Sequence, residues 1–220
     1  MNFEETQFWV SQLFPAEHEV STPEVVLPAT GRHGHSQPAE PLRLATFSLF
    51  DGSDTQDLAR RPETVAATLE LGRNYLGLVG DNEVDVRVEL FAVGYAEMPV
   101  AQTVAAAAAT VESDPISFAP TPGQVFSAVL SGPLPHLLCV VPYVWSDGVP
   151  NVSEEPGSLS VHEGESESAS PHGRITTMTQ LVPISDSELA VVQEQGFAAL
   201  LQLLADADAD FRDFERAGVV

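Results

Sequence analysis

The segment Val84-Asp85-Val86-Arg87-Val88-Glu89-Leu90 constrains the fold of this chain most sharply. Every second residue is aliphatic and every residue between is charged. A period of two belongs to a β-strand, in which successive side chains point to opposite faces. The pattern predicts a strand with its aliphatic side on a core and its charged side in water. Leu137-Leu138-Cys139-Val140-Val141 is apolar on both faces and predicts a central, fully buried strand. A sheet with a substantial core is therefore required, and the 44% apolar content of the 220 residues supplies one.

Other segments fall around that sheet. Phe3, Phe8, Trp9, Leu13 and Phe14 predict a short N-terminal helix stopped by Pro15. Five prolines between 15 and 41 predict an extended arm or long loop, so residues 1–41 read as a helix plus a proline-rich arm. Leu44–Phe50 reads as a strand closed by a turn at Asp51–Asp54. Pro62 and Glu63 favour a helix over 62–75, against the β-branched Thr64, Val65 and Thr68. Residues 99–112, with their alanine run, predict a helix whose small face packs close to a sheet, and Gln124–Leu130 predicts a further strand. The serine- and glutamate-rich stretch 151–173 reads as a flexible acidic insertion.

Towards the C-terminus, Ile175–Val182 reads as a strand. Ser185-Asp186-Ser187-Glu188 has the form of a capping box, with Ile184 and Leu189 placed as a hydrophobic staple. One helix is expected from about Asp186 to Leu204, with Gly196 in its middle tolerated because something packs tightly against it.

Charge and motif content narrow the function. Nine arginines and no lysine stand against 32 acidic residues, a formal charge of −23. Such a surface is a poor binder of nucleic acid and of anionic membranes, and suits a basic partner or simply solubility. Removing the five glutamates of the insertion still leaves −18. The N-terminus lacks a basic signal-peptide region and no apolar run reaches 18 residues, so a cytoplasmic location is expected. Cys139 is the only cysteine, which leaves no partner for a disulfide and excludes a cysteine-rich zinc site. No phosphate loop, dinucleotide fingerprint, nucleophile elbow or zinc-protease helix occurs, so no catalytic, cofactor or metal residue is assigned and no enzyme is expected. His33-Gly34-His35 reads as a solvated turn rather than a metal site. His136 and Cys139, three apart on a strand, face opposite ways and do not make a nucleophile–base pair.

Two features rise above that background. Tyr143 and Trp145 put amphipathic aromatics on one side of a strand end, where they serve as core edge or interface anchors. Asp210, Asp213 and Glu215 cluster after the last helix. These five are the candidate partner-binding residues.

The closing stretch resembles the signature of suppressor of fused-like domains. Their pattern is a strand, then proline and an aliphatic residue, a small polar pair, Glu-Leu and a glycine-containing helix, followed by an acidic segment with an arginine. Pro183, Ile184, Ser185, Glu188, Leu189 and Gly196, then Asp210, Asp213 and Arg216, occupy those positions. Val88-Glu89-Leu90, Gly123–Phe126, His136-Leu137-Leu138 and Pro142–Trp145 resemble the family's upstream strands. The resemblance covers roughly residues 42–216. It implies a single α+β domain, a mixed sheet packed by helices, and a protein-binding role. Animal relatives sequester a transcription factor, and stand-alone bacterial relatives are thought to be immunity proteins. From this follows the expectation of an immunity-type protein that occludes a basic toxin such as a nuclease. The alternative is an intracellular regulatory scaffold that binds a peptide by strand addition.

Overall fold

A computed structural model describes residues 1–14, 16–23, 42–50, 61–156 and 172–220. In chain order the elements are α1 (Phe3–Leu13), β1 (His18–Ser21), β2 (Leu44–Phe50), β3 (Glu63–Thr68), β4 (Leu78–Val79), β5 (Asp85–Tyr95), α2 (Val100–Ser113), β6 (Val125–Phe126), β7 (His136–Val140), β8 (Asn151–Glu154), β9 (Arg174–Ile184), α3 (Asp186–Gln195) and α4 (Phe197–Asp206). The strands form one mixed sheet in the order β1-β2-β3-β5-β9-β7-β6, with β4 beside β5 and β8 beside β9. All pairings are antiparallel except that of β5 and β9, which runs parallel from Asp85↔Arg174 to Phe91↔Gln180. The architecture is α+β, as expected.

Helices cover both faces. On one, α2 sets Val100, Val104, Ala107 and Val111 against Leu44, Ala66, Leu90, Ala92, Leu137 and Cys139. The alanine run permits this close approach, and Gly94 of β5 completes it. A Cβ there would lie 2.8 Å from Val100 Cγ2 and 3.0 Å from Phe214 Cζ. On the other face, Val10 and Phe14 of the N-terminal segment pack on Phe47, Val65, Phe91 and Met178. Beside them, Val191, Leu200 and Leu204 of α3 and α4 pack on Leu138, Val140, Val182 and Ile184. α1 carries a capping box of its own between Asn2 and Glu5, while Phe8 points to solvent.

Several expectations need correcting. The segment after Pro62 is strand, not helix. Its Glu63–Thr68 stretch lies between β2 and β5, where ladder bonds and burial outweigh a favourable helix start. Within 62–75 the helix is limited to one 3-10 turn, at Leu71–Arg73. Strand pairing after Gln124 stops at Phe126, because Ala128 adopts a left-handed φ of 54° and donates its N–H to His136 Nδ1 at 2.9 Å. β7 is buried throughout yet second from one end of the sheet. Helices on both its faces explain its apolar sequence. β9 runs on through Pro183 to Ile184.

The C-terminal helix is two helices. Gly196 has φ 88° and ψ 158°, a conformation that L side chains rarely adopt, and nothing lies within 4 Å of a Cβ placed there. Backbone shape, not tight packing, demands this glycine. The capping box forms as expected. Glu188 N donates to Ser185 Oγ at 3.2 Å, and Ser185 N donates to Glu188 Oε2 at 2.8 Å. Asn151–Glu154, assigned to the flexible insertion, is strand β8, and His18–Ser21 of the proline-rich arm is strand β1. Residues 24–41, which include His33-Gly34-His35, residues 157–171 and the turn after β2 lie outside the described residues.

The charged side of β5 corrects the reading of that strand. Asp85, Arg87 and Glu89 do not face water. All three are buried, with Arg174 and Thr176 of β9 beside them on the same face.

Chemical denaturation should rank the C-terminal helices as follows. Leu200→Ala costs about 2–5 kcal/mol and Ser185→Ala about 1 kcal/mol. Gly196→Ala costs about 1–3 kcal/mol through its positive φ alone.

Candidate partner-binding face

After α4 the chain turns back and straps itself across the sheet. Arg216 donates to buried Glu188, at 2.7 Å to Oε1 and 3.2 Å to Oε2, and to the carbonyl of Pro183 at 3.1 Å. Val219 N adds a bond to Glu188 Oε1 at 3.0 Å, and Ser187 Oγ donates to the Val220 carbonyl at 2.8 Å. The N3 carboxylate of the capping box is thus also the anchor of the strap. Burial raises its pKa, but the donors from Arg216, Ser185 and Val219 outweigh that and hold it below the usual carboxylate range.

Nearer α4 the strap grips the ends of β3 and β5. Phe214 is buried against Gly94, and Tyr95 N donates to the Arg212 carbonyl at 3.0 Å. Arg212 donates to Asp210 through Nε at 2.8 Å and Nη2 at 3.1 Å, and to Glu63 at 2.9 Å. The Tyr95 hydroxyl donates to the same Asp210. Burial pushes the Asp210 carboxyl up, yet these bonds bring it down to about 2. Phe211 stacks on Tyr143 with ring centroids 5.6 Å apart, and Tyr143 N donates to Gln180 Oε1 at 3.3 Å. Tyr143 stays 50% exposed.

At the opposite end of β5, a cleft of about 740 Å³ opens beneath the start of α1. Its floor is Glu89 and Thr176, and its walls include Phe3, Arg43, Glu70 and Arg73. Glu89 is 1% exposed. Its carboxylate accepts from the Thr68 hydroxyl, from Leu71 N at 3.2 Å and from Gly72 N at 2.8 Å. Burial dominates and pushes its pKa up to about 7. Next to it Arg87 donates to Asp85 at 2.7 Å and to the carbonyl of Arg73 at 2.6 Å, which fixes the 3-10 turn over the cleft.

A family model for suppressor of fused protein (SUFU) matches residues 57–217. The chain belongs to the suppressor of fused family. Its fold matches a protein from Neisseria gonorrhoeae FA 1090 described as a SUFU homologue, solved at 1.40 Å. That match covers 99% of this chain and 97% of the other, with a TM-score of 0.58 at 16% identity. A chain of the Sufu–Fu complex aligns over 95% of this chain and 84% of its own, with a TM-score of 0.47 at 11% identity. No curated protein matches in sequence.

Within the chain, four of the five residues singled out from sequence share the strap region. Tyr143 rests on Phe211, next to Asp210, while Asp213 and Glu215 follow along the strap, with Glu215 exposed. Trp145 is turned away. Its ring packs 5.5 Å from Phe14 and 5.1 Å from Phe91, as a core-edge residue. Asp210 is bound up in holding Arg212 and Tyr95, which leaves Asp213 and Glu215 as the more open acids. His136 and Cys139 do lie on opposite faces. Cys139 sits under α2 with its thiol pKa raised by burial, whereas His136 Nε2 donates to Asp186 at 2.8 Å. Among the described residues no group of three His, Cys, Asp or Glu could hold a metal ion, and no helix is long and apolar enough to cross a membrane.

The sequence reading missed the roles of Glu63, Glu89 and Arg212. A signal for Glu89 existed, since a charged residue in a strand bounded by further strands is a candidate for burial. Those for Glu63 and Arg212 did not, because the two are 149 residues apart.

A pH series tests the Glu89 environment. Its folded pKa lies above the unfolded 4.5, so the folded state binds the extra proton. That contribution is full below pH 4.5 and is lost as pH rises through 7. The wild-type stability relative to Glu89→Gln should fall by roughly 3 kcal/mol across that window. Arg216→Met, which strands Glu188 as a buried charge, should cost about 3–5 kcal/mol at neutral pH.

Proposed function

We propose that this protein is a regulatory binding module that holds a peptide segment of a partner protein by strand addition. The observation that carries this reading is a strand that, among the described residues, has one neighbour, beside an exposed aromatic. Among the described residues β8 pairs only with β9, and the segment leading into it carries Tyr143 and Val144 at the surface. A partner strand on β8 would gain affinity from main-chain hydrogen bonds and specificity from alternate side chains. Tyr143, braced by Phe211, supplies an anchor that is already ordered, which lowers the entropic cost of binding. Asp213 and Glu215 select partners with basic residues near that anchor. Membership of the SUFU family supports a protein-binding role.

The charge of −23 favours a second reading, immunity-type capture of a basic effector such as a nuclease toxin. Both readings are tested by recovering the partner from the source lysate, then measuring kinetics and hydrogen exchange. Strand addition should slow exchange of the Asn151–Glu154 amides in the complex. Tyr143→Ala should raise the off-rate at least tenfold, whereas Asp213→Asn with Glu215→Gln should lower the on-rate. If the partner is a basic toxin, association should slow steeply between 0.1 and 1 M salt, as the Debye length shrinks from about 10 Å to about 3 Å. A neutral partner whose on-rate ignores salt would leave only the regulatory module. An unprotected β8 would remove strand addition at this edge.

A further inference from the structure

A row of buried charge on the two central strands is an expensive way to build a sheet face. Apolar side chains would serve stability better, since burying an ion removes several kcal/mol of hydration. Most of the row is compensated. Arg87 and Arg174 both face Asp85, Arg43 is clasped by Glu70, Arg73 by Glu112, and the Met1 amine by Glu154. Each cation lining the cleft therefore has its own carboxylate.

Glu89 differs. Its three hydrogen-bond donors are a hydroxyl and two backbone N–H groups, all uncharged. Though only 1% exposed, Glu89 is among the residues lining a cavity large enough for a small organic molecule. The packing is specific to it. A Cβ on Gly72 would come within 2.9 Å of Glu89 Oε1, so the turn approaches the carboxylate as closely as a glycine allows. Leu69 and Phe3 line the cleft beside it, with the Arg43 guanidinium over one face of the Phe3 ring, and Glu4 and Glu70 are the other lining acids. An anion finds no equivalent welcome, because Arg43 and Arg73 are already engaged.

We propose that the cleft beneath α1 binds an organic cation, a guanidinium or ammonium group on an aliphatic stem, with its charged head on Glu89. The bound cation supplies the counter-charge the folded protein lacks there, and its stem lies against Leu69 and Phe3. The net charge of −23 concentrates cations around the molecule and assists capture. The site is distinct from the strap face and borders β8, whose Glu154 holds the Met1 amine at the cleft, but it does not depend on the protein-binding reading.

Binding is linked to a proton. Near pH 7 the empty site holds Glu89 partly protonated, and a bound cation displaces that proton to solvent. The other charged groups facing this region are Asp85 and Arg87 on β5 itself, Arg174 on β9, and Glu70 and Arg73 on the 3-10 turn. Arg43 precedes β2, Glu4 lies on α1, Glu112 of α2 stands behind Arg73, and the Met1 amine at the cleft is paired with Glu154 of β8.

Calorimetry on the full chain tests the proposal, with agmatine as the free cation and acetyl-Gly-Arg-Gly-amide as the peptide-borne one. One equivalent should bind, releasing about half a proton at pH 7, read from the dependence of the heat on buffer ionisation. Glu89→Gln should weaken binding at least tenfold, and Glu194→Gln, which removes an exposed α3 charge, less than twofold. Gly72→Ala, which displaces the carboxylate but keeps it, should also weaken binding. Tighter binding of agmatine would identify a free small cation as the ligand, and tighter binding of the peptide an arginine side chain of a partner. If Glu89→Gln fails to fold, proton release by the wild type and the Gly72→Ala effect decide the matter. Absence of binding by both probes overturns the proposal. So does binding that releases no proton and is indifferent to Gly72→Ala.

Discussion

The parallel pairing of β5 with β9 is the constraint on which the rest of the structure depends. It joins the first half of the described sheet to the second, and all three packed layers converge on it. Leu90 and Ala92 of β5 with Leu181 of β9 support α2, while Phe91 and Met178 receive Phe14 from the opposite side. Beyond Phe91, β9 continues alone to pair with β7 and to lead into the capping box. Because Asp85–Phe91 are registered against Arg174–Gln180, the same two strands decide which side chains line the cleft and where the strap must land.

The strap shows how one residue can serve two levels of structure. Glu188 closes the first turn of α3 through Ser185, a local matter of helix capping. It also receives Arg216 and the Val219 amide, a matter of tertiary closure. A buried ion pair of this kind adds little net stability, but removing one partner leaves a bare charge. That favours a single position for the strap, and with it a single position for Phe211 under Tyr143.

Much of this fold was legible in the sequence wherever the signal is local. Periodicity marked β2, β5 and β9, the alanine run marked α2, and Ser185-x-x-Glu188 marked the start of α3. What periodicity cannot report is what lies opposite each face. Asp85, Arg87 and Glu89 read as a wet side because the groups that cover them, the turn at Leu71–Arg73 and the strand β9, are remote in sequence or bear no obvious mark. Glu63–Thr68 stayed open between helix and strand for the same reason, since its partners β2 and β5 decide its state. Gly196 was visible, but its role as a backbone hinge rather than a packing contact depends on a dihedral angle. Of the binding face, Tyr143 could be singled out by type. Its brace Phe211 and the diversion of Trp145 into the core are long-range facts.

The late arrival of β9 bears on how the chain acquires its shape as it leaves the ribosome. β1, β2, β3 and β5 can pair in order of synthesis, each antiparallel to a neighbour made shortly before. The other edge of β5 waits until residues 174–180 emerge, and the packing at Gly94, begun by Val100, is completed only when Phe214 follows. For that interval the nascent chain displays a long strand edge rich in valine, leucine and phenylalanine, the kind of surface that invites pairing with the wrong chain. The alternating Asp85, Arg87 and Glu89 then act as gatekeepers, keeping that edge soluble before they are sealed beneath the turn and the first helix.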